Sequence, residues 1–367
     1  MKKIGIITFH KALSYGAGFQ AYALQKYLED CGYQVELIDY VPPRFQQKNI
    51  FKIPNAKSIL KKIIKCLPYI VCMETSYRLT TRFCNKYLKL SPKSFCNMEQ
   101  LENYKWDYDM FITGSDQVWN LDFDKFDYIK PYLLSFVPKG KKKIAYAASI
   151  GMNDLESVEP TVKSNYLNLL HQYDTISVRE CFAKNLLNKN QIDATWVLDP
   201  TFLLDKTAWG KLSRKPHRIP QKSFVYVYGL YRNKDLYKLA HHIAEENNYD
   251  IVNMADGYDI CRGAYNDIIV LHEEVLWYLQ NAECVLTDSF HGVALSINFN
   301  TPFYIFKARR YNTRIESIIQ LFSLEDRVVK DVECIDVKKL GLDYRKINEY
   351  LAEERLNAKQ YLSEALK

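Results

Sequence analysis

The residues best suited to chemistry lie in loops that follow short apolar runs. CVLT (284–287) is one such run, and behind it Asp288, Ser289, His291 and Gly292 precede VALSINF, whose apolar side chains fall at helical spacing. This pattern sets His291 near a helix N-terminus, just past the C-terminal end of a strand. Open α/β sheets bind ligands there, and oriented N–H groups at that place favour anions. An ordinary βα loop with a packed or capping His fits the same residues. Arg179-Glu180 follows DTISV; an Arg there can fork onto a carboxylate or phosphate, or form a structural ion pair. PFYIF is followed by Lys307, Arg309, Arg310 and Arg314, of which one or two could reach the site of His291.

Two further loops are rich in small and polar residues. SYGAGFQ offers Ser14, Tyr15, Gly16 and Gln20 to a ligand, with Gly16 and Gly18 permitting close backbone approach. SDQVWN packs Ser115, Asp116, Gln117, Trp119 and Asn120 together, side chains that supply hydrogen bonds and an apolar face to a sugar, or else close an Asx turn. Together, Arg179, His291 and Lys307 would furnish two permanent cations and a titratable donor for a small, strongly anionic molecule.

The elements that must position these loops alternate between strand and helix. KIGIITF, QVELIDY, YDMFITG, KKIAYAASI, DTISVRE and TWVLDP read as strands, interleaved with helices at FQAYALQKYLEDCG, near 158–171 and near 181–188. Ser14–Gly18 is expected to be loop, 44–105 a basic helical insertion, and 204–221, with Pro216 and Pro220, a polar linker. A second α/β unit follows, with strands SFVYVYGL, YDIVNMA, CVLT and PFYIF, helices over 235–247 and 273–282, and a charged helix over 343–367. The expectation is an α/β fold of two Rossmann-like domains, 1–204 and 222–342, facing a cleft.

At 367 residues, 48% hydrophobic and 25% charged, the chain suits a soluble globular protein of two domains. A net charge of +7 suits an anionic substrate or a membrane surface and falls short of the basic density of nucleic-acid binders. Nine scattered cysteines without a CxxC pair argue for free thiols in a reducing cytoplasm and against a zinc site. No metal or cofactor is expected. The first apolar run is too short for a signal segment, and no run approaches the roughly 20 apolar residues that span a bilayer. The protein is expected to be cytoplasmic.

In order along the chain, SYGAGFQAYALQKYL, FITGSDQVWN, IAYAASIG, ISVRE, VLDPTFLL and TDSFHGVALSINFNTPF resemble the polysaccharide pyruvyl transferase family from about Ile4 to Val328. Ser14 stands where many relatives carry Asn. The resemblance implies a GT-B-like fold, with the first domain on the acceptor side and the second on the donor side. It also implies transfer of pyruvate from phosphoenolpyruvate to two sugar hydroxyls, giving a cyclic ketal and phosphate. Arg179 and His291 align with the family's Arg and His of donor binding and catalysis, and Lys307 falls near its third basic residue. Asp116 or Asp288 could take a proton from a sugar hydroxyl, although Asp288 could also cap a helix. A nucleotide-sugar glycosyltransferase on the same fold is the alternative enzyme, and a non-catalytic sugar-binding or assembly protein the third reading.

Segment 57–73 sets Lys57, Lys61, Lys62 and Lys65 beside Ile59, Leu60, Ile63, Ile64 and Leu67, with Pro68 expected to end the helix. Such a basic edge beside an apolar face suits an anionic membrane surface, although a helix whose apolar face simply covers the first domain is the favoured reading. Acceptors in the family are often lipid-linked, which would place this protein at the inner face of the membrane.

Overall fold

A strand apolar along its length is buried on both faces, and β1 (Lys3–Ile7) is one, with Ile4, Ile6 and Ile7 fully buried. The computed structural model describes residues 1–46, 59–122, 124–152, 154–230, 233–254, 267–307 and 313–367. They fall into two compact units. The first is Met1–Gln46, Phe83–Leu204 and Tyr350–Lys367; the second is Gln47–Arg82 and Asp205–Glu349.

In the first unit β1 is followed by α1 (Tyr15–Asp30), β2 (Gln34–Tyr40), the end of α2 (Ile59–Tyr87), β3 (Leu90–Phe95), α3 (Met98–Glu102) and β4 (Met110–Thr113). After these come α4 (Phe126–Ile129), β5 (Lys142–Ala148), α5 (Pro160–Leu170), β6 (Thr175–Val178), α6 (Cys181–Lys189) and β7 (Thr195–Trp196). All seven strands pair in parallel in the order β3-β2-β1-β4-β5-β6-β7. The order reverses between β1 and β4, the switch point where open sheets leave a crevice beyond the strand ends. Phe95, Trp106, Tyr108, Phe111, Trp119, Tyr132 and Phe136 belong to its hydrophobic core.

The second unit holds α7 (Lys206–Leu212), β8 (Phe224–Tyr228), α8 (Lys234–Asn247), β9 (Asp250–Met254), β10 (Asp267–Ile268), α9 (His272–Asn281), β11 (Cys284–Thr287), α10 (Phe290–Phe299), β12 (Phe303–Ile305) and α11 (Thr313–Phe322). Its parallel order is β10-β9-β8-β11-β12, with the switch between β8 and β11. Val225, Val227, Leu239, Ile243, Leu286 and Phe306 form its core. From Tyr350 onward, α12 (Tyr344–Ala365) packs with the first unit, where the Tyr361 hydroxyl donates to the Ala145 carbonyl at 2.9 Å.

Several local expectations are corrected. Ser14–Gly18 is not a loop: α1 begins at Tyr15, and Gly16, Ala17 and Gly18 are buried in its first turns. The insertion over 44–105 is not wholly helical, because β3 extends the sheet. Pro92 argues against a strand interior, yet β3 is an edge strand, where a missing N–H is tolerated. Pro68 does not end its helix, since α2 runs on to Tyr87; one lost ladder bond does not stop a helix of 29 residues. The presumed linker contains α7, capped by Asp205 accepting from the Ala208 N–H at 2.8 Å and anchored by fully buried Trp209. Among the described residues, no helix is long and apolar enough to cross a membrane.

Candidate functional site

Each switch point carries a polar cluster. In the first unit the chain leaves β4 through Gly114 at φ 106°, where a Cβ would stand 2.3 Å from the Tyr146 carbonyl oxygen. Only glycine fits, and Ser115 and Asp116 are thereby laid across the strand ends. The Ser115 carbonyl accepts from Thr8 Oγ1 at 2.8 Å, and its N–H donates to Gln20 Oε1 at 3.1 Å. Gln20 in turn donates to Thr8 Oγ1 at 2.9 Å, so β1, α1 and the β4 loop are tied together.

Arg179, one residue past β6, enters this cluster with its side chain wholly buried. Its Nη1 donates to Asp199 Oδ2 at 2.7 Å and to Ser115 Oγ at 3.4 Å, and its Nη2 donates to Asp116 Oδ1 at 3.1 Å. Burial alone would weaken the guanidinium's hold on its proton, but the charges of Asp199, Asp116 and Glu180 strengthen it. Asp199 is fixed in turn, its Oδ1 accepting from the Thr201 N–H at 2.9 Å and the Thr201 hydroxyl at 2.8 Å. The side chain of Asp199 is fully buried, whereas that of Asp116 is 14% exposed. Arg179 is thus ion-paired with Asp199 and Asp116.

In the second unit Ser289 caps α10, its Oγ accepting from the Gly292 N–H at 3.4 Å, while its own N–H donates to Thr287 Oγ1 at 3.0 Å. His291 is the second residue of α10 and 5% exposed, its ring edge-on to Phe290 at 5.2 Å. The expected strand, turn and helix are therefore present, with His291 at a helix N-terminus beyond β11. The N-cap of α10 is Ser289 and not Asp288. Asp288 Oδ1 accepts from the Leu230 N–H at 2.6 Å, tying the loops after β8 and β11 across the switch. Gly292 serves packing: a Cβ there would stand 2.3 Å from Thr287 Oγ1.

The other expected site residues divide. Trp119 is fully buried and its indole N–H donates to the Tyr132 carbonyl at 3.1 Å, so it offers no face to a sugar; the aromatic core claimed it. Gln117 and Asn120 are also buried and face one another, Asn120 Nδ2 donating to Gln117 Oε1 at 2.8 Å. Tyr15 is half-buried at the start of α1, with Ser14 as its N-cap and Gly16 buried beside it. Lys307 is exposed and pairs with Glu316 at 3.6 Å. Arg309, Arg310 and the side chains of Lys57, Lys61, Lys62 and Lys65 lie outside the described residues.

Two features escaped sequence reasoning. Asp199 stands in VLDPTFLL, where an Asp before Pro-Thr is a visible capping signal but gives no hint of Arg179. Buried His10 faces the Thr8 carbonyl with Nδ1 at 3.1 Å and Asp39 Oδ1 with Nε2 at 2.9 Å. Asp39 also takes Lys11 Nζ at 2.7 Å and the Ser94 hydroxyl. Among the described residues, no group of three or more His, Cys, Asp or Glu is placed to hold a metal ion.

Two Rossmann-like parallel sheets, each with its polar cluster at the switch point, define the GT-B class of fold. The chain resembles UDP-GlcNAc 2-epimerase from Neisseria meningitidis bound to UDP-GlcNAc, with a TM-score of 0.51 and 10% identity over 100% of this chain and 99% of that one. It also resembles the S. aureus MnaA–UDP structure, with a TM-score of 0.50 and 13% identity over 97% of this chain and 88% of that one. At such identity the likeness is one of fold. No curated protein matches the sequence. The polysaccharide pyruvyl transferase family matches residues 15–307, and the chain belongs to that family.

Proposed function

We propose that the protein transfers pyruvate from phosphoenolpyruvate to two hydroxyls of one sugar in a glycan or lipid-linked oligosaccharide, forming a cyclic ketal and releasing phosphate. The observation that carries this reading is His291 at the N-terminus of α10, beyond the switch-point strand β11, in a chain of this family. A helix N-terminus favours a doubly anionic donor, and an imidazole there can give a proton. Protonation of the donor's methylene carbon leaves an oxocarbenium-like C2. The first hydroxyl adds to C2 while its proton passes to the Asp116 carboxylate. The second hydroxyl then forms the other C–O bond as the phosphate C–O bond breaks, and His291 protonates the departing phosphate. Of the two hydroxyl protons, one is balanced by the new methyl hydrogen and the other by the proton on phosphate. Phosphoenolpyruvate is thus a co-substrate, and the reaction is set in the cytoplasm, with segment 57–73 as the contact to an anionic inner membrane face.

The test is to supply phosphoenolpyruvate or a nucleotide sugar with a panel of acceptor glycans and measure phosphate or nucleotide release and the mass of the acceptor. A pyruvate ketal with phosphate release is expected, and His291→Ala should lower turnover about 10²–10⁴-fold. Transfer from the nucleotide sugar with phosphoenolpyruvate inert would replace this reading with the glycosyltransferase one.

A further inference from the structure

Resting on the pyruvyl transfer reading, we infer that the first unit carries a stacking subsite for a second sugar of the acceptor. It is built on Phe182 with Trp196 beside it, and it makes the acceptor an oligosaccharide and not a free monosaccharide. Phe182 is the second residue of α6 and 37% exposed. The apolar stripe of α6 is already supplied by Ala183 and Leu187, both buried in the core of the unit. Phe182 lies off that stripe, on the face it shares at i+3 and i+7 with exposed Asn185 and Lys189. Burial therefore does not account for a phenyl ring there. A lone exposed apolar side chain is ordinary, and the place of this one is what distinguishes it. α6 starts at Cys181, just beyond the last residue of β6, Val178. Phe182 thus stands at the carboxyl end of the sheet, where open α/β sheets take their ligands.

Trp196 closes β7 in register with Val178, is half-buried, and donates its indole N–H to the Arg179 carbonyl at 3.1 Å. That bond fixes a second ring at the same strand ends. The first turn of α6 is fixed as well. The Arg179 N–H donates to the Ala148 carbonyl at 3.3 Å, the Ser149 hydroxyl donates to the buried Glu180 carboxylate, and the Lys184 N–H donates to the Glu180 carbonyl at 3.2 Å. A platform already held in place loses little freedom when a ligand arrives. Distance then sets which sugar stacks. Asp116, the partly exposed carboxylate that takes a hydroxyl proton in the proposed reaction, follows β4. β5 lies between β4 and β6, so their ends stand two strand spacings, about 10 Å, apart. One sugar ring does not bridge that span, and a ring reacting at Asp116 leaves Phe182 to its neighbour in the glycan. A sugar suits the place, because its C–H face is apolar and its hydroxyl rim can meet the polar loops beside the ring.

Calorimetric titration of the full-length chain, without phosphoenolpyruvate, decides. The probes are neutral mono-, di- and trisaccharides from the panel of acceptor glycans. Affinity should rise about tenfold or more from monosaccharide to trisaccharide. Phe182→Ala should weaken trisaccharide binding about three- to tenfold, the part of a phenyl side chain's burial that 37% exposure leaves to be gained, and should leave monosaccharide binding unchanged. Phe182→Trp should keep or tighten the trisaccharide. Equal affinity for every length, no binding of any length, or wild-type trisaccharide affinity in Phe182→Ala overturns the inference. Uridine bound more tightly than any glycan, with the same dependence on Phe182, also overturns it and makes the ring a nucleobase platform. Phosphate release from phosphoenolpyruvate with the same glycans reports separately on the chemistry. Glycan binding through Phe182 with no such release would refute pyruvyl transfer and leave the subsite standing.

Discussion

Gly292→Ala is the sharpest probe of how the His291 turn is held. Alanine suits a helix better than glycine by about 1 kcal/mol, so on propensity alone the change should stabilise α10. The new Cβ, however, would stand 2.3 Å from Thr287 Oγ1, 3.0 Å from its Cβ and 3.3 Å from its Cγ2. Thr287 is poorly placed to retreat: its hydroxyl donates to the Tyr228 carbonyl at 2.7 Å and accepts from the Ser289 N–H at 3.0 Å. Overpacking of this kind costs about 1–3 kcal/mol, and each of the two displaced hydrogen bonds about 1 kcal/mol. The net expectation is a loss of about 2–4 kcal/mol, which for a domain of this size lowers Tm by about 5–15 °C. The assay is thermal unfolding of wild type, Gly292→Ala, Thr287→Ala and the double variant. Thr287→Ala removes two of the three close atoms, so the double variant should be more stable than additivity predicts by about 1 kcal/mol or more. A Gly292→Ala protein that melts at or above wild type, or strictly additive losses, would show that the α10 turn is not fixed by this contact.

Burial by itself would raise the Asp39 carboxyl, but His10, Lys11 and Ser94 hold it well below the usual carboxylate range. A depressed acid contributes stability above its unfolded value of about 3.9 and loses it as pH falls towards its folded value. Asp39→Asn should therefore cost about 3–5 kcal/mol at neutral pH, with the gap to wild type closing below about pH 4 in urea titrations; a gap independent of pH would contradict the ion pair. Burial, opposed by Glu273 and reinforced by Arg82, lowers His272 from 6.5 to about 3. Between those values the unfolded chain binds the extra proton, so this group's contribution to stability is full above about pH 6.5 and shrinks by about 1.4 kcal/mol for each unit the pH drops below it. His272→Gln should remove that slope, and an unchanged slope would reject the assignment. Vesicle co-sedimentation tests segment 57–73: binding should require anionic lipid, weaken with salt, and drop when Lys57, Lys61, Lys62 and Lys65 become Gln. Equal binding by the quadruple variant would leave the segment as ordinary packing.

Pattern and tertiary context contributed differently to this protein. Apolar runs such as CVLT, alternating with helices of 3.6-residue period, determine a parallel α/β fold on their own, because burial on both faces leaves few other ways to satisfy them. The turn at Ser289 and the position of His291 were legible for the same reason, since capping is local chemistry. Edge position decided that LSPKSF forms β3 despite Pro92, and packing decided that α1 begins at Tyr15 despite two glycines. Trp119 read as a sugar platform until the core enclosed it, its indole N–H bonded to the Tyr132 carbonyl and its ring edge-on to Tyr173. The partners of Arg179 lie 20 and 63 residues away. Which acids neutralise a buried cation depends on the strand ends that the sheet order brings together, and no local periodicity records that order. Sequence thus determined the elements and the turn that carries His291, while tertiary structure alone decided that Arg179 meets Asp199 and Asp116.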